Sequence, residues 1–185
     1  MKKVLSFLAL LPILLALLNG CASFYDVAPD KAPTAYSRPS IIDTDFNISG
    51  RFIIKQPEKN DYGNFTWSKS GESEELDFNT PIGQTVATIK IESNVATLTT
   101  KDKSYTGNDL DEMMQKQLGF ILPMNYLHYW IQGVSLPDVQ VTQNISDGFI
   151  QLGWKVEYLE WKDQNHPQII QCSKDNLVIK LLIEW

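Results

Sequence analysis

The chain closes on Leu177-Val178-Ile179-Lys180-Leu181-Leu182-Ile183-Glu184-Trp185, where Leu177, Ile179, Leu181, Ile183 and Trp185 alternate without a gap. A period of two over nine residues is the mark of a strand with one face buried. The same period runs upstream. Phe46, Ile48, Gly50, Phe52 and Ile54 share one face, and Phe65 and Trp67 alternate with Asn64, Thr66 and Ser68. Leu76 and Phe78 continue the pattern, followed by Ala87, Ile89 and Ile91, then Val139 and Val141, then Trp154, Val156 and Tyr158. Sequential strands with short turn signals between them predict an antiparallel meander that curls toward a barrel.

One turn has an unusual composition. In Asn79-Thr80-Pro81-Ile82-Gly83-Gln84-Thr85, Pro at i+1 and Gly at i+3 suit a type I turn beginning at Thr80. Ile82 then stands at the tip of a hairpin, where a polar residue is the usual choice.

The meander is interrupted once. Asn108 or Asp109 can cap a helix carrying Leu110, Met113, Met114, Gln117 and Leu118 at helical spacing, with Gly119 as its stop. Beyond Phe120-Ile121-Leu122-Pro123, a second short helix can carry Leu127, Trp130 and Ile131 before Gly133. Helices inserted between strands must cover a face or an opening of the sheet, so they are expected to form a lid. The two adjacent methionines would make that lid adaptable.

The N-terminal end sets the location. Lys2 and Lys3 precede an uncharged apolar run from Val4 to Leu18, too short and wrongly flanked for a spanning helix, which reads as a secretory signal over residues 1–20. It ends in Leu18-Asn19-Gly20-Cys21, which resembles the bacterial lipobox, where a thiol following a small residue is diacylated, the signal is cleaved, and the new N-terminus is acylated too. Cys21 is thus the expected lipidation site, and Ala22 in place of Asp resembles the outer-membrane sorting pattern. Residues 21–45 are polar, broken by Pro29, Pro33 and Pro39, and read as an acylated Cys with a flexible tether. At about 3.3 Å per residue that tether reaches on the order of 80 Å. Residues 46–185 are expected to form one domain.

Losing Lys2 and Lys3 with the signal lowers the 16 basic side chains to 14 against 22 acidic ones, a mature net charge of −8. No basic run remains, which excludes a nucleic-acid partner. With Cys21 acylated, Cys172 has no partner for a disulfide and reads as a small buried hydrophobe. There is no Walker A loop, no Gly-X-Ser-X-Gly elbow and no metal-spaced His/Cys cluster. His128 falls on the second helix and His166 precedes Pro167, each expected to be solvated or locally bonded. Glu72, Glu74 and Glu75 read as a solvated turn. No catalytic residue, metal or cofactor is expected.

Gly50-Arg51-Phe52, "NFTW" at Asn64–Trp67, "PIG" at Pro81–Gly83, "LGFILPMNYLHYWIQG" at Leu118–Gly133, "GWKVEY" at Gly153–Tyr158 and the terminal "KLLIEW" occur in the order of one family. Together with the lipobox they resemble the LolB family of Gram-negative outer-membrane lipoprotein receptors, over essentially the whole chain. The resemblance implies a mainly β fold, an unclosed antiparallel β-barrel with a small α-helical lid over an apolar cavity. It implies a monomeric protein, anchored in the outer membrane and facing the periplasm, that accepts acylated lipoproteins from the soluble carrier LolA and inserts them into outer-membrane lipid. Such proteins carry a helix before the first strand, and the short, Pro39-containing stretch from Pro33 to Asp43 departs from that pattern. The family's protruding apolar loop residue falls on Ile82. The residues expected to line the acyl-chain cavity are Phe52, Phe65, Trp67, Phe78, Ile89, Leu127, Trp130, Trp154, Tyr158 and Leu181. A lipid-anchored binder of a free hydrophobic small molecule would need the same apolar barrel, and cargo alone separates the two readings.

Overall fold

The computed structural model describes residues 42–185. The signal, Cys21 and most of the tether and of the stretch before the first strand lie outside them. Among the described residues, eleven strands and two helices follow in chain order: β1 (Phe46–Lys55), β2 (Asn60–Ser70), β3 (Ser73–Asn79), β4 (Thr85–Glu92), β5 (Val95–Thr100), β6 (Ser104–Gly107), α1 (Leu110–Gln117), α2 (Met124–Trp130), β7 (Val141–Ile145), β8 (Gly148–Gln151), β9 (Trp154–Trp161), β10 (Pro167–Lys174) and β11 (Leu177–Glu184). All strands belong to one antiparallel sheet, ordered β6-β5-β4-β3-β2-β1-β11-β10-β9-β8-β7. The sheet is not closed: β6 and β7 are its two edges. This is the antiparallel meander that the alternation implies, left open as the family resemblance implies.

The first and last strands pair at the middle of the sheet, Phe52 opposite Leu181 and Ile54 opposite Ile179. Their rows merge with those of β2, where Gly50 faces Phe65 and Ile48 faces Trp67. Gly50 is required by close approach, since a Cβ there would lie 1.9 Å from the Leu182 carbonyl oxygen and 2.9 Å from the Phe65 ring. The Gly-Arg-Phe triplet is thus a packing device that lets one ring lie over bare backbone. Ile48, Ile54, Trp67, Ile89, Leu98, Val156, Ile170, Ile179 and Ile183 are all but fully buried in one continuous core. Burying each such side chain is worth about 1.5–3 kcal/mol. Cys172 is fully buried in this core, and that burial pushes its thiol pKa up.

Two expectations are corrected. Val139 does not begin a strand. It sits in the bend before β7, and its carbonyl accepts a hydrogen bond from Gln151 Nε2 at 2.8 Å. Glu74 is not on a solvated turn. It shares the inward face of β3 with Leu76 and Phe78, because side chains two apart on a strand point the same way.

Gln151 fastens the second half of the sheet to α2 although it is a polar residue with no solvent exposure. Its Oε1 accepts from the Trp130 indole N–H at 3.2 Å and from the Leu136 amide at 2.9 Å. Its Nε2 donates to the carbonyls of Leu136 and Val139. A buried amide is tolerated only when paired in this way. Replacing Gln151 with Leu orphans the indole and backbone groups together, at about 1–3 kcal/mol for each buried group left unpaired. The expected result is a loss of at least about 3 kcal/mol in urea unfolding with an unchanged m-value.

Candidate functional site

The concave face of the sheet and the two helices beside it form the candidate site. Asp109 caps α1, its side chain accepting from the Glu112 amide at 2.9 Å, and Gly119, with φ +81°, ends the helix as expected. The two helices are held differently. In α1 only Met114 is fully buried, and the helix packs chiefly on β5. In α2, Met124, Leu127 and Trp130 are buried, the Tyr158 hydroxyl donates to the Trp130 carbonyl at 3.0 Å, and Gln151 holds the indole. Gln132, just beyond α2, bonds Asp43 in both directions, accepting from its amide at 2.7 Å and donating to its carbonyl at 3.1 Å. The chain is therefore fastened to the domain from Asp43 onward, slightly inside the span read as tether.

All ten candidate cavity residues are buried. Three of them line open clefts: Trp154 lines one of about 1010 Å³, and Phe52 and Phe78 line another of about 550 Å³. Phe65, Trp67, Ile89, Leu127, Trp130, Tyr158 and Leu181 lie beneath, in the packed interior. The larger cleft runs along α1 and also takes in Ile91, Leu110, Ile121, Met124 and Tyr126. Sequence reasoning did not single these out as site residues, because their apolar periodicity is that of an ordinary helix or strand. The tryptophans are coupled, Trp130 lying 6.0 Å from Trp154 and 6.5 Å from Phe149 between ring centroids.

The turn at Thr80 forms as the sequence predicts. Gly83 N–H donates to the Thr80 carbonyl at 2.8 Å, and Gln84 N–H donates to Thr80 Oγ1 at 3.1 Å. These bonds leave Ile82 82% exposed, more than any other large apolar side chain among the described residues. Tyr62, 69% exposed, and Val86 border the same region, both lining the smaller cleft together with Thr80 and Pro81.

The polar groups are bonded locally. His128 Nδ1 lies 3.1 Å from the Met124 carbonyl, and its burial holds its pKa below the ordinary histidine value. His166 is bonded to Asp163 at 2.8 Å and packs on Trp185. No group of three or more His, Cys, Asp or Glu among the described residues is placed to hold a metal ion. Glu74 accepts from the Trp67 indole N–H at 2.8 Å, and burial raises its carboxyl pKa above the ordinary value despite that bond and the nearby Lys69.

Comparison with known proteins agrees with this architecture. The family model described as "Outer membrane lipoprotein LolB" matches residues 44–185. The chain is similar to the outer-membrane lipoprotein LolB of Chromobacterium violaceum, 27% identical over 177 residues that cover 95% of this chain and 96% of the relative. That of Shewanella loihica is 26% identical, covering 91% and 82% of the two chains, and that of Ralstonia nicotianae is 29% identical, covering 80% and 74%.

The buried Glu74 gives the concave face a pH signature. A carboxyl whose folded-state pKa is raised binds its proton more tightly when folded, so stability falls as pH climbs from about 4.5 through the raised value. Glu74→Gln keeps an acceptor for the Trp67 indole and removes the charge. The variant should unfold at a higher temperature than the parent at pH 7, and the difference should vanish below pH 4, by thermal melts across that range.

Proposed function

The chain belongs to the LolB family of outer-membrane lipoproteins, and from that premise we propose that it receives acylated lipoproteins from the soluble periplasmic carrier LolA, shelters their acyl chains against its concave apolar face, and releases them into the outer membrane. The observation that carries this reading is the pairing of an open, aromatic-lined concave face with a single exposed isoleucine on a rigid turn at its margin.

The energetics explain why a container is needed. One acyl chain of about 15 methylenes costs on the order of 12 kcal/mol to hold in water, at ~0.8 kcal/mol per CH₂. Chains of that length cannot change hands unshielded. Direction comes from differences in affinity between carrier, receptor and membrane, because an equilibrium moves only as far as differential affinity allows. Cys21, acylated, supplies location, while the domain supplies the chemistry of exchange. A binder of a free small molecule would share the apolar face but would neither take cargo from a carrier nor lose it to vesicles.

A Cys21→Ala chain exported with a cleavable signal should be soluble and should still strip lipoprotein from the loaded carrier in a pull-down. Failure to accept cargo would assign the anchor to the acceptor site. Ile82→Glu should leave the melting temperature within about 1–2 °C of the parent, since an exposed side chain contributes little to folding. It should accept cargo normally and fail to pass it to outer-membrane vesicles, so that cargo accumulates on the receptor. Ile82→Leu should deliver at the parental rate. Parental delivery by the Glu variant would remove Ile82 from the mechanism.

A further inference from the structure

The two clefts are separate, and one side chain belongs to both linings. Phe120 faces the larger cleft, with Ile121 and Tyr126, and the smaller one, with Phe52, Phe78 and Leu118. It is 7% exposed and packs edge-on against Phe78, ring centroids 6.5 Å apart, which packs edge-on against Phe52 at 5.3 Å. A row of three rings thus stands where the larger cleft would otherwise run into the smaller. The backbone beside this partition has room to turn. Gly119 is left-handed, a Cβ there would meet nothing within 4 Å, and its carbonyl is held by Gln56 Nε2 at 3.0 Å.

The smaller cleft has its own position in the fold. Alternation of strand direction brings the β1–β2, β3–β4 and β5–β6 turns to one end of the sheet. Lys59 and Asp61 from the first, Thr80 and Pro81 from the second, and Lys101 and Asp102 from the third all contribute to this cleft. It therefore opens among the turns that include Ile82, with Tyr62 and Val86 exposed in its wall. The buried part of its lining, Phe52, Phe78, Ala87 and Phe120, is apolar, its outer part is largely polar, and its volume falls within the range of about 300–1,000 Å³ typical of small-ligand sites.

We propose that the smaller cleft is a second acyl-chain site, the exit through which the hydrocarbon of the cargo passes from the larger cleft to the membrane, with Phe120 as the partition between them. This rests on the acyl-sheltering function proposed above. Ile82 then marks the surface at which the exit opens, and the chain stays covered by Phe52, Phe78 and Val86 until it meets lipid. The occupant is an alkyl chain, because the buried lining is Phe52, Phe78, Ala87 and Phe120, whereas Lys59, Lys101 and Asp102 are exposed and Asp61 is half-buried, its Oδ1 paired with Lys59 at 2.9 Å and its Oδ2 the one buried side-chain oxygen left without a partner among the described residues.

The test uses the full lipidated chain in phosphatidylcholine vesicles, given carrier loaded with a lipoprotein whose acyl chain ends in a photoactivatable diazirine. After illumination, labelled peptides are mapped by mass spectrometry. The parent should be labelled in both clefts, at the segment holding Ile121 and Tyr126 and at the segment holding Tyr62 or Val86. Val86→Trp plugs the exit from its half-exposed wall. It should slow delivery at least tenfold, confine labelling to the larger cleft and leave carrier unloading within twofold of the parent. Thr100→Phe narrows the same cleft from another strand and should act alike, so a folding defect in one variant does not decide the matter. Labelling confined to the larger cleft in a parent that delivers overturns the exit, as does parental delivery by both folded variants. Absence of label from both clefts overturns the acyl-sheltering function itself.

Discussion

Strands β6 and β7 are the two edges of one sheet and also neighbours in the chain, joined by residues 108–140. That connection sets the rest of the architecture. A sheet with apolar rows on its concave face must either close on itself or be covered, and here the connection carrying α1 and α2 takes the place of an eleventh ladder between β6 and β7. The edges themselves are short: β6 has four residues and β7 five. Short edges offer little template for another chain to pair with. Between the edges the structure relies on side-chain packing rather than on a ladder of backbone hydrogen bonds.

The two helices are held by different polar chemistry. Trp130 is held by Gln151 at its indole and by Tyr158 at its carbonyl, both deep in the interior. Hydrogen bonds there are expensive to leave unmade, so α2 behaves as part of the sheet. In α1 the polar bonds are exposed, including the Asp109 cap and the Lys116–Glu112 pair. Exposed pairs of this kind contribute little, about 0–1 kcal/mol. The seat of α1 is one buried methionine with partly buried apolar neighbours, Leu110, Met113 and Leu118, which flexible side chains can vacate and refill.

Where alternation was strong, the fold was legible in the sequence. Leu177–Trp185, Phe46–Ile54 and the helix from Leu110 to Gly119 were each specified by five or more periodic residues and their caps. The turn at Thr80 was specified by Pro81 and Gly83 alone. Other elements were hidden for identifiable reasons. In β5, "VATLTT", threonines fill the outward positions and Ala96 and Leu98 are too few to set a period, while β6 and β8 are only four residues long. β10 starts at a proline and shifts register twice against β9, which breaks its alternation into the run Ile169-Ile170. Glu74 was legible after all, since counting back two from Leu76 puts it on the inward face. Gln151 was not, because a buried amide depends on four groups from elsewhere in the fold. The open clefts were the least legible feature: an apolar residue reads the same whether its ring meets a neighbour or a void.

Under the proposed function, the exposed Ile82 finds its physical sense in the tether. Burying one isoleucine in an acyl layer is worth about 1.5–3 kcal/mol, far too little to recruit a free domain. A domain tethered to the same bilayer through Cys21, as proposed, needs no recruitment, because the linker converts a bimolecular encounter into an intramolecular one. For such a domain the same energy biases orientation by roughly 10- to 160-fold. It also keeps contact reversible, which a wider apolar patch would not. A strongly embedded tip would hold the domain on the membrane and away from an incoming carrier, whereas a polar tip would leave the open clefts in random orientation. A single branched alkane on a turn held by three short hydrogen bonds lies between those limits.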